Sequence, residues 1–104
     1  MTKSVFLEMF GETPFIKVVD FFLDNDAFDY SKSDIARETG VSRITLEAII
    51  PKLLKVGIIR QTRTVGKSQM YQFDKNNPAA RRLLELDINL SSDASNKRTP
   101  LLAS

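Results

Sequence analysis

The side chains of this chain that are equipped for chemistry are cations and hydroxyls, and the chemistry open to them is the recognition of anions. Arg60, Arg63 and Lys67 fall within "RQTRTVGK", next to Ser68. Carried on a hairpin, that spacing suits them to straddling phosphates, although the same charges would also protect an exposed sheet edge from aggregation. The 104 residues include no histidine and no cysteine. Imidazole and thiolate chemistry, the commonest general base and the commonest transition-metal ligands are thereby removed. "GVS" and "VGKS" lack the full phosphate-loop pattern, and Asp24, Asp26 and Asp29 lack the complete calcium-loop spacing. The expectation is a protein that is not an enzyme and that uses no metal or cofactor; a small-molecule effector leaves no trace in the sequence.

The net charge is only +2, but it is unevenly spread. Residues 1–30 carry two lysines against six acids, whereas residues 31–67 carry eight bases against three acids. Such a polarity fits either a polyanion partner or a solvated face. No apolar run approaches the ~18 residues of a membrane span. A soluble, cytoplasmic protein with no membrane partner is expected, and the lack of cysteine fits a reducing compartment.

The elements that must position these cations follow from caps and periodicity. Residues 1–12 form an N-terminal segment. Thr13 and Pro14 then start a helix, with Phe15, Val18, Val19 and Phe22 on one buried face and an end near Leu23 to Asn25. Phe28 and Tyr30 alternate as in a very short strand. Ser31 with Asp34 forms a capping-box-like start for "KSDIARETG", which turns Ile35 and Ala36 inward and stops at Gly40. Only Val41 separates that glycine from Ser42, itself an N-cap, so the next helix must cross sharply. That helix buries Leu46, Ile49, Ile50 and Leu53 and runs straight past Pro51.

From Gly57 the period changes, and residues 58–74 read as a β-hairpin with "GKS" at its turn. Asn77 and Pro78 start a last helix over 78–90 with a Leu83, Leu86, Leu90 stripe. Residues 91–104 read as a mobile tail. The fold class is mainly α with a small β-hairpin.

The stretch from Ser31 to Asp74 resembles the winged helix-turn-helix fold of DNA-binding transcription regulators, here with an additional C-terminal helix. "IARETGVS" is similar to the family's second helix and turn, "LLKVGII" to the exit from its recognition helix, and "TRTVGKSQMYQF" to its wing. The resemblance is greatest to the small stand-alone regulators of archaea, whose "FG-TP" lead-in is matched by Phe10, Gly11, Thr13 and Pro14. It implies a domain over residues 13–77 that places helix 42–55 in the major groove and wing 58–74 on the backbone or minor groove of double-stranded DNA.

On that assignment the candidate DNA-binding residues are Ser42, Arg43, Ile44, Thr45, Glu47, Ala48 and Lys52 of the helix, with Arg60, Arg63, Lys67 and Ser68 of the wing. Arg43 suits guanine, Thr45 a phosphate or a base, and Ile44 or Ala48 a thymine methyl. Glu47 either accepts from cytosine, repels phosphate, or is a solvated helix glutamate. Pro51 falls on the outer face; it either bends the helix between a reading half and a half that orients the wing, or is merely tolerated. Arg81 and Arg82 are expected to be solvated or paired with Glu85. The aromatics Phe6, Phe10, Phe15, Phe21 and Phe22 are expected in core or dimer packing. The apolar residues of "SVFLEMF" and "LLELDINL" exceed what one such fold covers, so a homodimer through the terminal segments is expected. The alternative class is a winged-helix protein–protein adaptor in transcription or replication machinery.

Overall fold

The computed structural model describes residues 4–96. Its elements are α1 (Val5–Phe10), α2 (Pro14–Asp24), α3 (Lys32–Thr39), α4 (Arg43–Val56), β1 (Ile59–Val65), β2 (Ser68–Phe73) and α5 (Pro78–Asn96). The α+β class and the hairpin are as the sequence implies.

Each helix start is set by a side chain. Thr13 Oγ1 accepts the Ile16 amide ahead of Pro14. Ser31 and Asp34 complete a reciprocal capping box, and Ser42 Oγ accepts the Thr45 amide. Such caps contribute about 1 kcal/mol each by pairing amides that have no helical partner. Gly40 closes α3 at φ +77°, and buried Val41 carries the chain across to α4. One core results, with Val18, Phe22, Ile35, Leu46, Ile50, Leu53, Ile59 and Phe73 almost wholly removed from water. Burial of each such side chain contributes roughly 1.5–3 kcal/mol.

Gly57 stands at the junction of three elements. At φ +84° it ends α4, its amide reaching the Leu53 and Leu54 carbonyls, and the wing begins two residues later. A Cβ there would lie against the Asn77 carboxamide, whose Oδ1 accepts the Ala80 amide at the start of α5. The end of α4, the start of the hairpin and the start of α5 thus meet at one backbone position.

Several details differ from expectation. Residues 5–10 of the N-terminal segment form a helix, capped by Ser4, which also donates to buried Asp20 at 2.8 Å. Phe15 does not join the buried face of α2: it lies at the helix start, 38% exposed, while Val18, Val19, Phe21, Phe22 and Leu23 are buried. The Phe28–Tyr30 strand reduces to a single bridge, Tyr30 with Tyr71, closed by two 2.8 Å hydrogen bonds. Phe28 itself is exposed. The last helix does not stop at residue 90 but continues to Asn96, since "SSDASN" holds neither glycine nor proline to break it. The rest of the expected tail, 97–104, lies outside the described residues. Among the described residues no helix is long and apolar enough to cross a membrane.

Candidate nucleic-acid interface

Helix α4 presents an outer face that begins at Ser42 and runs past Pro51. Ile44 is 85% exposed, and Arg43, Glu47, Ala48, Pro51, Lys52 and Lys55 are exposed with it, while Leu46, Ile49, Ile50 and Leu53 fill the inner face. The helix is continuous through Pro51, whose ring sits on the water side. The Ser42 and Thr45 hydroxyls are engaged with each other, 2.9 Å apart.

The charged residues of this face are not independent. Glu47 Oε1 meets Lys32 Nζ from α3 at 2.9 Å, and this hydrogen bond holds its carboxyl below the usual carboxylate range, with the Arg43 charge acting in the same direction. Lys32 thus offsets part of the Glu47 charge within the protein. Arg43 turns toward α3 as well, its Nη1 donating to Ser33 Oγ at 3.0 Å.

The wing is a two-stranded hairpin turned at Gly66 and Lys67, with Gly66 at φ +62° as the tight two-residue loop requires. Its register shifts between Gln61 and Arg63. In a regular strand neighbouring residues face opposite ways, but the bulge lets Thr62 and Arg63 both reach Asp29 in the α2–α3 loop. Arg63 makes two hydrogen bonds to that carboxylate, which together with Thr62 hold the Asp29 carboxyl below its ordinary value. The same loop grips the wing again through Gln72, which donates to the Asp26 carbonyl, and Lys75, just past the wing, pairs with the Asp26 carboxylate. The wing is therefore braced on the acidic loop rather than projecting freely.

The predicted contact residues are thus divided. Arg43, Lys67 and Ser68 come together around a cleft of about 260 Å³ between the start of α3, the start of α4 and the wing tip. Ile44, Thr45, Glu47 and Ala48 lie along the first turns of α4 from Ser42, and Lys52 follows farther along the helix. Arg60 stands near the base of the wing, opposite Gln72, and makes no ion pair among the described residues. Arg63 is removed from the free cations by Asp29. Arg81 and Arg82 are exposed on α5 and form no pair with Glu85.

Sequence reasoning missed Lys32, Ser33 and Gln69, which line the same cleft. The hydroxyl- and lysine-bearing "SKS" at the start of α3 was a visible signal, but its closeness to the wing tip is a property of the tertiary fold.

No family model and no curated protein matches this chain. Among solved structures it is similar to Sso10a-2, described as a DNA-binding protein from Sulfolobus solfataricus, at 18% identity and a TM-score of 0.54. The match covers 85% of this chain and 95% of that one. The likeness bears on the fold, and agrees with the helices, hairpin and C-terminal helix described above.

Proposed function

We propose that this chain is a sequence-specific double-stranded DNA-binding transcription regulator that acts as a homodimer in the cytoplasm. The observation that carries the reading is the shared side of α4 and the wing tip: Arg43 and Lys67, which make no ion pair among the described residues, flank a cleft beside the highly exposed start of the helix. The fold likeness to a DNA-binding protein supports it. In this reading the first turns of α4 enter the major groove. Ile44 and Ala48 meet thymine methyls, Ser42 and Thr45 supply hydroxyls, and Lys52 follows the backbone. Arg60, Lys67 and Ser68 of the wing lie over phosphates. Glu47 serves chiefly to hold Lys32, and Arg63 to hold the wing to its loop.

The dimer is drawn from α1 and α5, which pack together and still leave Met9, Phe10, Leu86 and Ile88 between 41% and 63% exposed. Two copies related by a two-fold axis would bury this surface and present two recognition helices to successive half-sites. A light-scattering mass at tens of micromolar tests assembly, and a titration of genomic duplex fragments tests DNA binding. The adaptor reading draws on Ile44, whose 85% exposure would equally suit an apolar partner pocket; salt-independent capture of a protein, with no duplex bound, would favour it.

A further inference from the structure

We infer that the cleft between α3, the start of α4 and the wing tip is a seat for one phosphate group, gripped by Arg43, Lys67 and the hydroxyls of Ser33 and Ser68, and that a phosphodiester of the DNA strand fills it. The inference rests on the DNA-binding reading above and deepens it, since it makes Arg43 a backbone clamp rather than a reader of guanine.

Charge is the first argument. Among the described residues Arg43 and Lys67 have no acidic partner, and no carboxylate lines the cleft. The acids nearby along α3 and α4 are occupied elsewhere. Asp34 accepts from the Ser31 amide and from Arg37, and Glu47 accepts from Lys32. Arg43 and Lys67 therefore face one hollow without an ion pair among the described residues, Glu47 acting on Arg43 only through space while it bonds to Lys32.

Donor direction is the second. Ser33 Oγ accepts from Arg43, so its own hydroxyl proton is left to give, and Arg43 keeps most of its N–H donors. Gln69 Oε1 accepts from the hydroxyl of Tyr71, a residue only 3% exposed, which directs the amino end of the Gln69 carboxamide away from that bond. Walls contributed by α3, α4 and the hairpin thus offer donors and positive charge and no competing acid, a set that matches an oxyanion with several acceptor oxygens. One phosphate seated there would tie three elements to the DNA at a single point and fix the distance between wing tip and recognition helix.

The test is Ser33→Asp. Residue 33 is exposed in the first turn of α3, where an added acid is favourable, so the variant folds; its carboxylate lies beside Arg43 and fills the seat from within. Ser33→Asn has the same shape without the charge. Affinity for a duplex is measured against salt, and the Ser33 and Ser68 amides are followed by NMR as inorganic phosphate is added. The expected result is a log–log salt slope shallower by about 0.9 per subunit in Ser33→Asp, with all duplexes weakened alike, and the parent slope in Ser33→Asn. An equal loss in Ser33→Asn assigns the effect to shape and overturns the seat. Parental slopes in both variants, with amides that ignore inorganic phosphate, also overturn it while duplex binding by the parent leaves the DNA reading standing. If the parent binds no duplex, the DNA reading falls; the seat then survives only if inorganic phosphate at millimolar levels moves both amides in the parent and not in Ser33→Asp, which would make a free phosphate its occupant.

Discussion

Arg63 is held by Asp29 through two hydrogen bonds, Nε to Oδ2 at 2.9 Å and Nη2 to Oδ1 at 3.1 Å, although the two residues are 34 positions apart. A cation that reads from sequence as a phosphate contact is thus committed to bracing the wing. Asp29→Asn should release it: duplex affinity rises and the salt slope steepens by about 0.9 per subunit as the freed guanidinium finds a phosphate. Arg63→Ala should leave the slope unchanged. A slope that flattens in Arg63→Ala would show that the pair opens on DNA.

The Lys32–Glu47 pair predicts a compensation. Lys32→Ala exposes the Glu47 carboxylate on the outer face of α4, so duplex binding should weaken through repulsion. Adding Glu47→Gln should restore most of the loss with little cost to the fold, because the pair it breaks is exposed and screened by water. The comparison is made by anisotropy titration of the single and double variants at one salt concentration. No recovery in the double variant would mean that Lys32 itself contacts DNA.

Gly57 and Asn77 give a stability prediction. Gly57→Ala combines a side chain at φ +84° with a collision against the Asn77 carboxamide that caps α5. A loss of about 1–3 kcal/mol is expected, from backbone strain and a disturbed cap. Denaturant melts measure it. Pro51→Ala should act in the opposite sense, because the helix already runs through that position and regains an N–H, a gain of up to about 3 kcal/mol.

Asp24 predicts a pH dependence. Asp24 keeps part of its surface in water at the rim of a hollow, and partial desolvation there, with the charges of Asp20 and Asp87 added, pushes its carboxyl up to about 6 from the ordinary 3.8. Between those values the folded protein keeps a proton that the unfolded chain has released, so this group's contribution to stability falls as pH rises through the window. Lys17 lines the same hollow beside α2, and Asp20 is itself raised by burial against the opposing bond from Ser4. Asp24→Asn removes the titration: its thermal midpoint should exceed the parent's at pH 7 and converge with it near pH 3.5. Equal midpoints at pH 7 would contradict the account.

The parts of the fold that were legible in the sequence are those governed by local chemistry. Ser31 with Asp34, Gly40, Ser42 and Gly57 mark the bounds of α3 and α4 because caps and left-handed glycines act within a few residues. The apolar face from Leu46 to Leu53 was visible for the same reason, and it crosses Pro51 because the proline is on the other side. The interface was legible only as a set of residue types. Lys32 reaches Glu47 across 15 positions, and Arg63 reaches Asp29 only because a bulge turns Thr62 and Arg63 to one side. No periodicity announces such contacts, and they decide which cations remain free. α1 escaped notice because its six residues are too few for a periodic signal; it is held by Ser4 and by Phe6 packed in the core.

The central claim is that α4 and the wing bind duplex DNA through a small set of unpaired cations, and affinity measured across a salt series tests it most directly. With Arg43 and Lys67 sharing one phosphate and Lys52 and Arg60 each neutralising another, in both copies of a dimer, the logarithm of the association constant should fall against the logarithm of salt with a slope of about −5. A slope near zero, or no duplex bound at low salt, would contradict the account.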